Sequence, residues 1–140
     1  MITLGWHERS GIAVDVRKLI VRPNGWSVSA AVRNDTGATF VIERPHHPGQ
    51  TEFGLLVLDS GDVEAVERAG PGVFATRFDP PLPRVLRPRG EWSGTFSGPG
   101  RLTNARFARI ELGRFTNYGR QRRGVPRRFR YISDHVLRLR

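Results

Sequence analysis

The alternation of apolar and polar residues with a period of two constrains the fold of this chain most strongly. At residues 26–32 an apolar side chain occupies every second position, beginning with Trp26 and ending with Val32. Successive side chains of a β-strand point to opposite faces, so this pattern predicts a strand with one buried face. Residues 12–16 alternate in the same way, and a later shift of apolar parity predicts a β-bulge near Lys18.

Short strands separated by glycine, proline and asparagine account for the remainder of the chain. Each proline in the 80–83 segment lacks a donor for sheet pairing, which favours an extended crossover there. Residues 63–68 fit either a strand or one helical turn. The pattern predicts an all-β fold, an antiparallel immunoglobulin-like β-sandwich of about seven to eight strands. Further strands are predicted at residues 38–42, 53–58, 73–78, 91–97, 108–112 and 131–139.

The chain length fits a single domain, which we assign to residues 1–140 with an arginine-rich C-terminal loop and strand at 113–140. Cysteine is absent, so disulfides, thiolate nucleophiles and cysteine metal sites are excluded. The longest apolar run, residues 53–58, is far shorter than the roughly 20 residues of a membrane span. No signal peptide is expected from the first eleven residues, and the compartment stays open.

The tryptophans have two interpretations. Trp6, Trp26 and Trp92 would stack on a sugar or a base if they were exposed. Trp26 and Trp92, however, share the apolar parity of their strands. We therefore expect both to lie in the core.

Several sequence patterns resemble catalytic or metal motifs. Adjacent His46 and His47 would point to opposite faces of a strand, which does not suit a shared metal, even if Glu43 and Glu52 supplied oxygen ligands. The triad residue types at 133–135 are contiguous, whereas members of a catalytic triad converge from separate segments. We expect no catalytic residue, no metal site and no cofactor.

Glycine-rich segments and a glycosylation pattern have simpler explanations as turns. Residues 70–72 and 98–100 lack the spacing and the following helix that a phosphate-binding loop requires. Asn34, Asp35 and Thr36 match the N-glycosylation pattern, but Asn and Asp are also favoured in turns. We predict turns at all three places.

Positive charge is concentrated at the C-terminal end. Residues 113–140 contain nine arginines and one acidic residue, Asp134, and so supply eight of the ten net positive charges. Such asymmetry informs on partners and not on the fold. Guanidinium groups suit oxyanions, and interleaved aromatic rings suit stacking. The predicted anion- or partner-binding residues are Arg120, Arg122, Arg123, Arg127, Arg128, Arg130, Tyr118 and Tyr131.

The order of features resembles bacterial telokin-like immunoglobulin-like domains over residues 12–112. The motifs are the turn at 34–37, the apolar strand at 53–58, the proline-rich crossover, residues 86–96 and the strand at 108–112. The resemblance implies a β-sandwich that acts as a binding or spacer module, often in the cell envelope. It implies no catalytic residue.

The sequence is compatible with three functions. The first is a non-catalytic interaction module that binds a protein or an anionic surface through its basic C-terminal segment. The second is a nucleic-acid-binding protein that uses residues 118–131. The third is an enzyme with a site assembled from distant residues, which no motif supports. The alternative to any binding role is a solvated loop whose many arginines reflect a GC-rich coding sequence.

Overall fold

All of the regular secondary structure in the described residues is β-strand. The computed structural model describes residues 5–9, 11–46, 49–58, 73–100, 107–121, 123–133 and 137–138. Within these ranges there is no helix, and so none that could cross a membrane. The predicted all-β fold is confirmed. The strands are β1 Gly5–Arg9, β2 Ile12–Arg22, β3 Gly25–Asn34, β4 Phe40–Ile42, β5 Gly54–Leu58, β6 Val73–Phe74, β7 Arg77–Asp79, β8 Val85–Leu86, β9 Glu91–Pro99, β10 Phe107–Thr116, β11 Arg128–Ile132 and β12 Leu137–Arg138.

The described strands outnumber the seven to eight expected, because five of the twelve have only two or three residues. A strand of that length is too short to show an alternating pattern. The two predicted features at residues 63–68 and 70–72 lie outside the described residues.

Two antiparallel sheets pack face to face and confirm the predicted sandwich. The first has the order β1-β2-β3-β9-β7, and the second has the order β6-β5-β10-β4-β8. Strand β10 is central in the second sheet, since its Glu111 is aligned with Gly54 of β5 on one side and Ile132 of β11 on the other. Both C-terminal strands pair with β10. The basic end of the chain is therefore part of its own sheet.

The bulge predicted in β2 is present. The register between β2 and β3 shifts between Val16 and Lys18. Before the shift, Val14 and Val16 face the core. The extra residue explains why the apolar parity changes along one continuous strand.

Aromatic rings join the two sheets. Phe53, which leads into β5, is fully buried and lies 5.5 Å from Phe96, 5.6 Å from Phe78, 5.9 Å from Phe115 and 6.1 Å from Trp92, measured between ring centroids. Three of these partners belong to the first sheet, whereas Phe115 belongs to β10 of the second. Edge-to-face pairs at such distances add stability beyond that from area burial.

The predicted burial of Trp26 and Trp92 is also confirmed. Trp26 and Trp92 are 2% and 4% exposed, respectively. The indole Nε1–H of Trp92 donates to the Pro80 carbonyl at 3.0 Å, which ties the proline-rich crossover to β9.

Asn34 organises the turn after β3. Its buried amide Nδ2 donates to the carbonyls of Ala38 and Leu86, and its Oδ1 accepts hydrogen bonds from the backbone N–H and the hydroxyl of Thr36. The predicted turn is confirmed. Because the amide is enclosed and fully bonded, the folded chain does not present Asn34 for glycosylation.

We predict that Phe53→Ala lowers the free energy of unfolding by about 3–5 kcal/mol, because it empties the site where the two sheets meet. Chemical denaturation followed by tryptophan fluorescence measures this loss. Tyr118→Ala is the matched aromatic control: the side chain is 67% exposed, so its loss should stay below about 1 kcal/mol. A similarly small loss for Phe53→Ala would contradict the central role of Phe53.

Candidate functional site

The loop between β10 and β11, residues 117–127, carries most of the predicted contact residues, and we call it the arginine loop. Asn117, only 2% exposed, closes its base. The Asn117 backbone N–H donates to the Arg127 carbonyl at 2.7 Å, and the Asn117 carbonyl accepts from Arg127 Nη1 at 2.8 Å. Arg127 is therefore engaged in holding the loop together. This bond stabilises the base of the loop, while the Arg127 side chain stays exposed.

Two arginines at the tip line an open cavity of about 510 Å³. These are Arg120 and Arg123, and Gln121, Val125 and Gly37 complete the lining. No carboxylate of the described chain forms an ion pair with either guanidinium. Since Gly37 belongs to the turn after β3, the cavity lies where two loops of the sandwich meet.

Tyr118 connects the arginine loop to the segment that follows β4. Its hydroxyl donates a hydrogen bond to Glu43, and this bond raises the pKa of the Tyr118 phenol. The ring is 67% exposed and is the one large apolar side chain so exposed among the residues the structure describes. Tyr118 therefore presents an aromatic surface beside the loop.

The other predicted residues lie in strand β11 rather than in a loop. Arg128 and Arg130 point outward, whereas Phe129 and Tyr131 are 8% and 2% exposed. Residues 128–130, which precede the strand predicted at 131–139, therefore belong to a strand and not to the arginine-rich loop. Charged and aromatic residues alternate over 128–131, which places one face of this strand in the core. Tyr131 has no surface to offer a partner in this conformation. Arg122 lies outside the described residues.

Strand β10 contributes an arginine that the sequence interpretation missed. The register with β11 shifts between Leu112 and Phe115, both of which are buried in the core. Two residues, Gly113 and Arg114, therefore separate inward-facing neighbours where a regular strand has one, and the bulge turns Arg114 outward. The three-residue spacing of Leu112 and Phe115 was the available signal.

Arg114, Arg128 and Arg130 line a shallow cleft of about 260 Å³ together with Phe129, and we call it the arginine cleft. Two buried carboxylates lie beneath it. Glu52 Oε1 accepts from Arg114 Nε at 2.9 Å. Arg130 Nη1 lies 3.2 Å from Glu111 Oε1, close enough for an ion pair, but no described donor forms an aligned hydrogen bond to that carboxylate.

The two carboxylates differ in proton affinity. Burial raises the pKa of Glu111 from 4.5 to about 7, and the ion pair with Arg130 offsets only part of this effect. Burial also opposes ionisation of Glu52, but hydrogen bonds from His46 and Arg114 outweigh it and lower the pKa of Glu52. Glu52 therefore keeps its negative charge at neutral pH, whereas Glu111 gains a proton as the pH falls through about 7.

His46 is a hydrogen-bond partner of Glu52. Its Nε2 lies 3.0 Å from Glu52 Oε2, and its ring stacks on Phe74 with 4.1 Å between centroids. His47 lies outside the described residues, and within the described ranges no three His, Asp or Glu side chains come together as metal ligands would.

The triad-like segment begins with a buried serine. Ser133 Oγ accepts a hydrogen bond from the Ile110 backbone N–H at 2.9 Å, and the Ser133 carbonyl accepts from Arg109 Nε at 2.6 Å. These bonds fix the end of β11 against β10. Asp134 and His135 lie outside the described residues.

No protein-family model, curated protein or solved structure matches this chain. The geometry of the two arginine surfaces is therefore the basis for a functional assignment.

We predict that Glu111→Gln removes a pH dependence of stability. Between pH 4.5 and about 7 the folded protein holds a proton on Glu111 that the unfolded chain has released, so wild-type stability falls as the pH rises through this window. The variant should show a flatter profile and exceed wild type by about 1–3 kcal/mol at pH 8.

Urea denaturation between pH 5 and 8 tests this prediction, a range in which Glu52 stays ionised because its pKa is lowered. Glu91→Gln, at an exposed position of β9, is the matched control and should follow the wild-type curve. Parallel profiles for wild type and Glu111→Gln would contradict the assignment.

Proposed function

We propose that this protein is a non-catalytic immunoglobulin-like binding module whose arginine loop contacts an acidic surface of a partner protein. The strand order supports the immunoglobulin-like assignment. In such domains strands A, B, E and D form one sheet and C, F and G form the other. Here β2, β3, β9 and β7 are neighbours in that order, and β5, β10 and β11 are neighbours in the second sheet.

The same correspondence supports the arginine loop as part of the binding end of the sandwich. The connection from β3 to β5 corresponds to the B–C loop, and the arginine loop corresponds to the F–G loop. Variable immunoglobulin domains bind their ligands with these two loops, which lie at one end of the sandwich. The bond between Tyr118 and Glu43 and the position of Gly37 beside the loop tip bring both connections together in this chain.

One observation carries the proposal: two guanidinium groups without a described carboxylate partner share a cavity at this end of the sandwich. Unpaired positive charge attracts acidic surfaces and excludes basic ones. The adjacent exposed ring of Tyr118 adds the kind of aromatic anchor that is enriched at protein interfaces.

Nucleic-acid binding through the same segment is the alternative. Sequence-tolerant binding of single strands combines a basic groove with several aromatic stacking platforms. Of the aromatic residues at 118, 129 and 131, Tyr118 is exposed while Phe129 and Tyr131 are buried. This distribution favours a protein partner.

We predict that Arg120→Gln combined with Arg123→Gln weakens binding to poly-L-glutamate about tenfold at low salt, because two charged contacts of about 0.7 kcal/mol each are lost. Fluorescence anisotropy with labelled polymer measures the affinity. The matched control is Arg77→Gln combined with Arg87→Gln, which removes the same charge from exposed positions outside the loop.

Equal losses in the control and the loop variant would reduce the interaction to non-specific charge and contradict the proposal. A labelled single-stranded oligonucleotide tests the alternative. Tighter binding of that oligonucleotide than of poly-L-glutamate, with a steep salt dependence that the loop variant flattens, would favour the nucleic-acid function.

A further inference from the structure

We propose that the arginine cleft on the outer face of β10 and β11 is a separate site that binds a phosphate monoester group. The cleft is formed by Arg114, Arg128 and Arg130 and does not include the tip of the arginine loop. This inference therefore does not depend on the function proposed for the loop.

The sequence of β10 positions the arginines. The bulge at Gly113 and Arg114 brings Arg114 to the outer face, next to Arg130 on the paired strand. A Cβ atom at position 113 would lie 2.9 Å from Arg130 Cγ, so glycine leaves the room that the Arg130 stem needs to pass over β10. A side chain at position 113 would therefore force the Arg130 stem or the backbone to shift.

Buried carboxylates hold two of the guanidinium groups in place. Glu52 engages Arg114 through Nε, and Glu111 pairs with Arg130 through Nη1. A guanidinium has five N–H donors, so each arginine retains donors for a ligand. The side chains of Arg114 and Arg130 are 42% and 46% exposed, which leaves those donors accessible from the cleft. A site whose side chains are oriented by a supporting shell loses less entropy on binding.

Arg128 completes the cleft and has no described carboxylate partner. It lies two residues from Arg130 in β11, so both side chains leave the same face of the sheet. Phe129 between them is buried and fixes the strand against the core. The third guanidinium therefore faces the same space as the first two.

The arrangement suits a phosphate monoester better than a carboxylate. A phosphoryl group carries close to two negative charges and offers three acceptor oxygens, which matches three converging guanidinium groups. A carboxylate has one charge and two coplanar oxygens, so a single arginine can satisfy it in bidentate geometry. With both supporting carboxylates ionised, the cleft still has a net positive charge for an anion to neutralise.

Isothermal titration calorimetry with glycerol 3-phosphate, at constant ionic strength maintained with chloride, tests this proposal. We expect saturable binding to the wild-type protein and a loss of at least about tenfold in affinity for Arg128→Gln. Since Arg128 has no described partner, this change should leave thermal unfolding unaltered. Arg114→Gln is the second variant and should weaken binding to a similar extent.

Two controls separate the cleft from general positive charge. Arg77→Gln, at an exposed position of the other sheet, should bind like wild type. The double variant at Arg120 and Arg123 should also bind like wild type, so a failure of the loop proposal and a failure of this one give different results. Equal affinity in the wild type and both cleft variants would overturn the site.

The phosphate monoester could come from a soluble metabolite or from a lipid headgroup. Sedimentation with phosphatidic acid vesicles, compared with phosphatidylcholine vesicles, distinguishes the sources. Binding of glycerol 3-phosphate without vesicle sedimentation supports a soluble ligand, and Arg128-dependent sedimentation with phosphatidic acid supports a lipid. Failure of both probes would overturn the proposal.

Discussion

The contact of Phe53 with four aromatic rings is the interaction on which the architecture depends. Phe53 enters the second sheet at the start of β5, yet three of its four ring partners belong to the first sheet. Two sheets that share such a centre cannot slide past each other without separating edge-to-face pairs. The loops at each end of the sandwich therefore extend from a rigid frame, and this frame fixes the positions of the two arginine surfaces.

A second constraint is the bulge in β10. The strand must keep both Leu112 and Phe115 in the core, and the extra residue between them moves Arg114 to the outer face. The same step brings Glu52 close, because its backbone N–H donates to the Gly113 carbonyl at 2.8 Å. One local irregularity of the backbone thus determines where a buried acid, its arginine partner and the cleft above them are located.

Much of the fold could be predicted from the sequence, because apolar and polar residues alternate along a strand with one buried face. The bulge near Lys18, the burial of Trp26 and Trp92 and the turn at Asn34 all follow from alternation and turn chemistry. The residues of the candidate site were harder to predict from the sequence. Arg114 and Glu52 are 62 residues apart in the chain and meet only through sheet pairing. The burial of Tyr131 and the outward direction of Arg128 follow from the position of both residues in strand β11. The high arginine content of this segment favoured a loop and hid the alternation of the strand.

The closed base of the arginine loop separates the residues that shape the loop from those at its tip. Asn117 and Arg127 close the loop through main-chain atoms and one guanidinium. Among the described residues from 120 to 125, the Arg120 carbonyl bonds to Asn117 and no side chain bonds to either residue. Substitutions at the tip can therefore accumulate without disturbing the sandwich. Under the proposed function, recognition depends on the tip and folding on the base of this hairpin, so a change of partner would leave the scaffold intact.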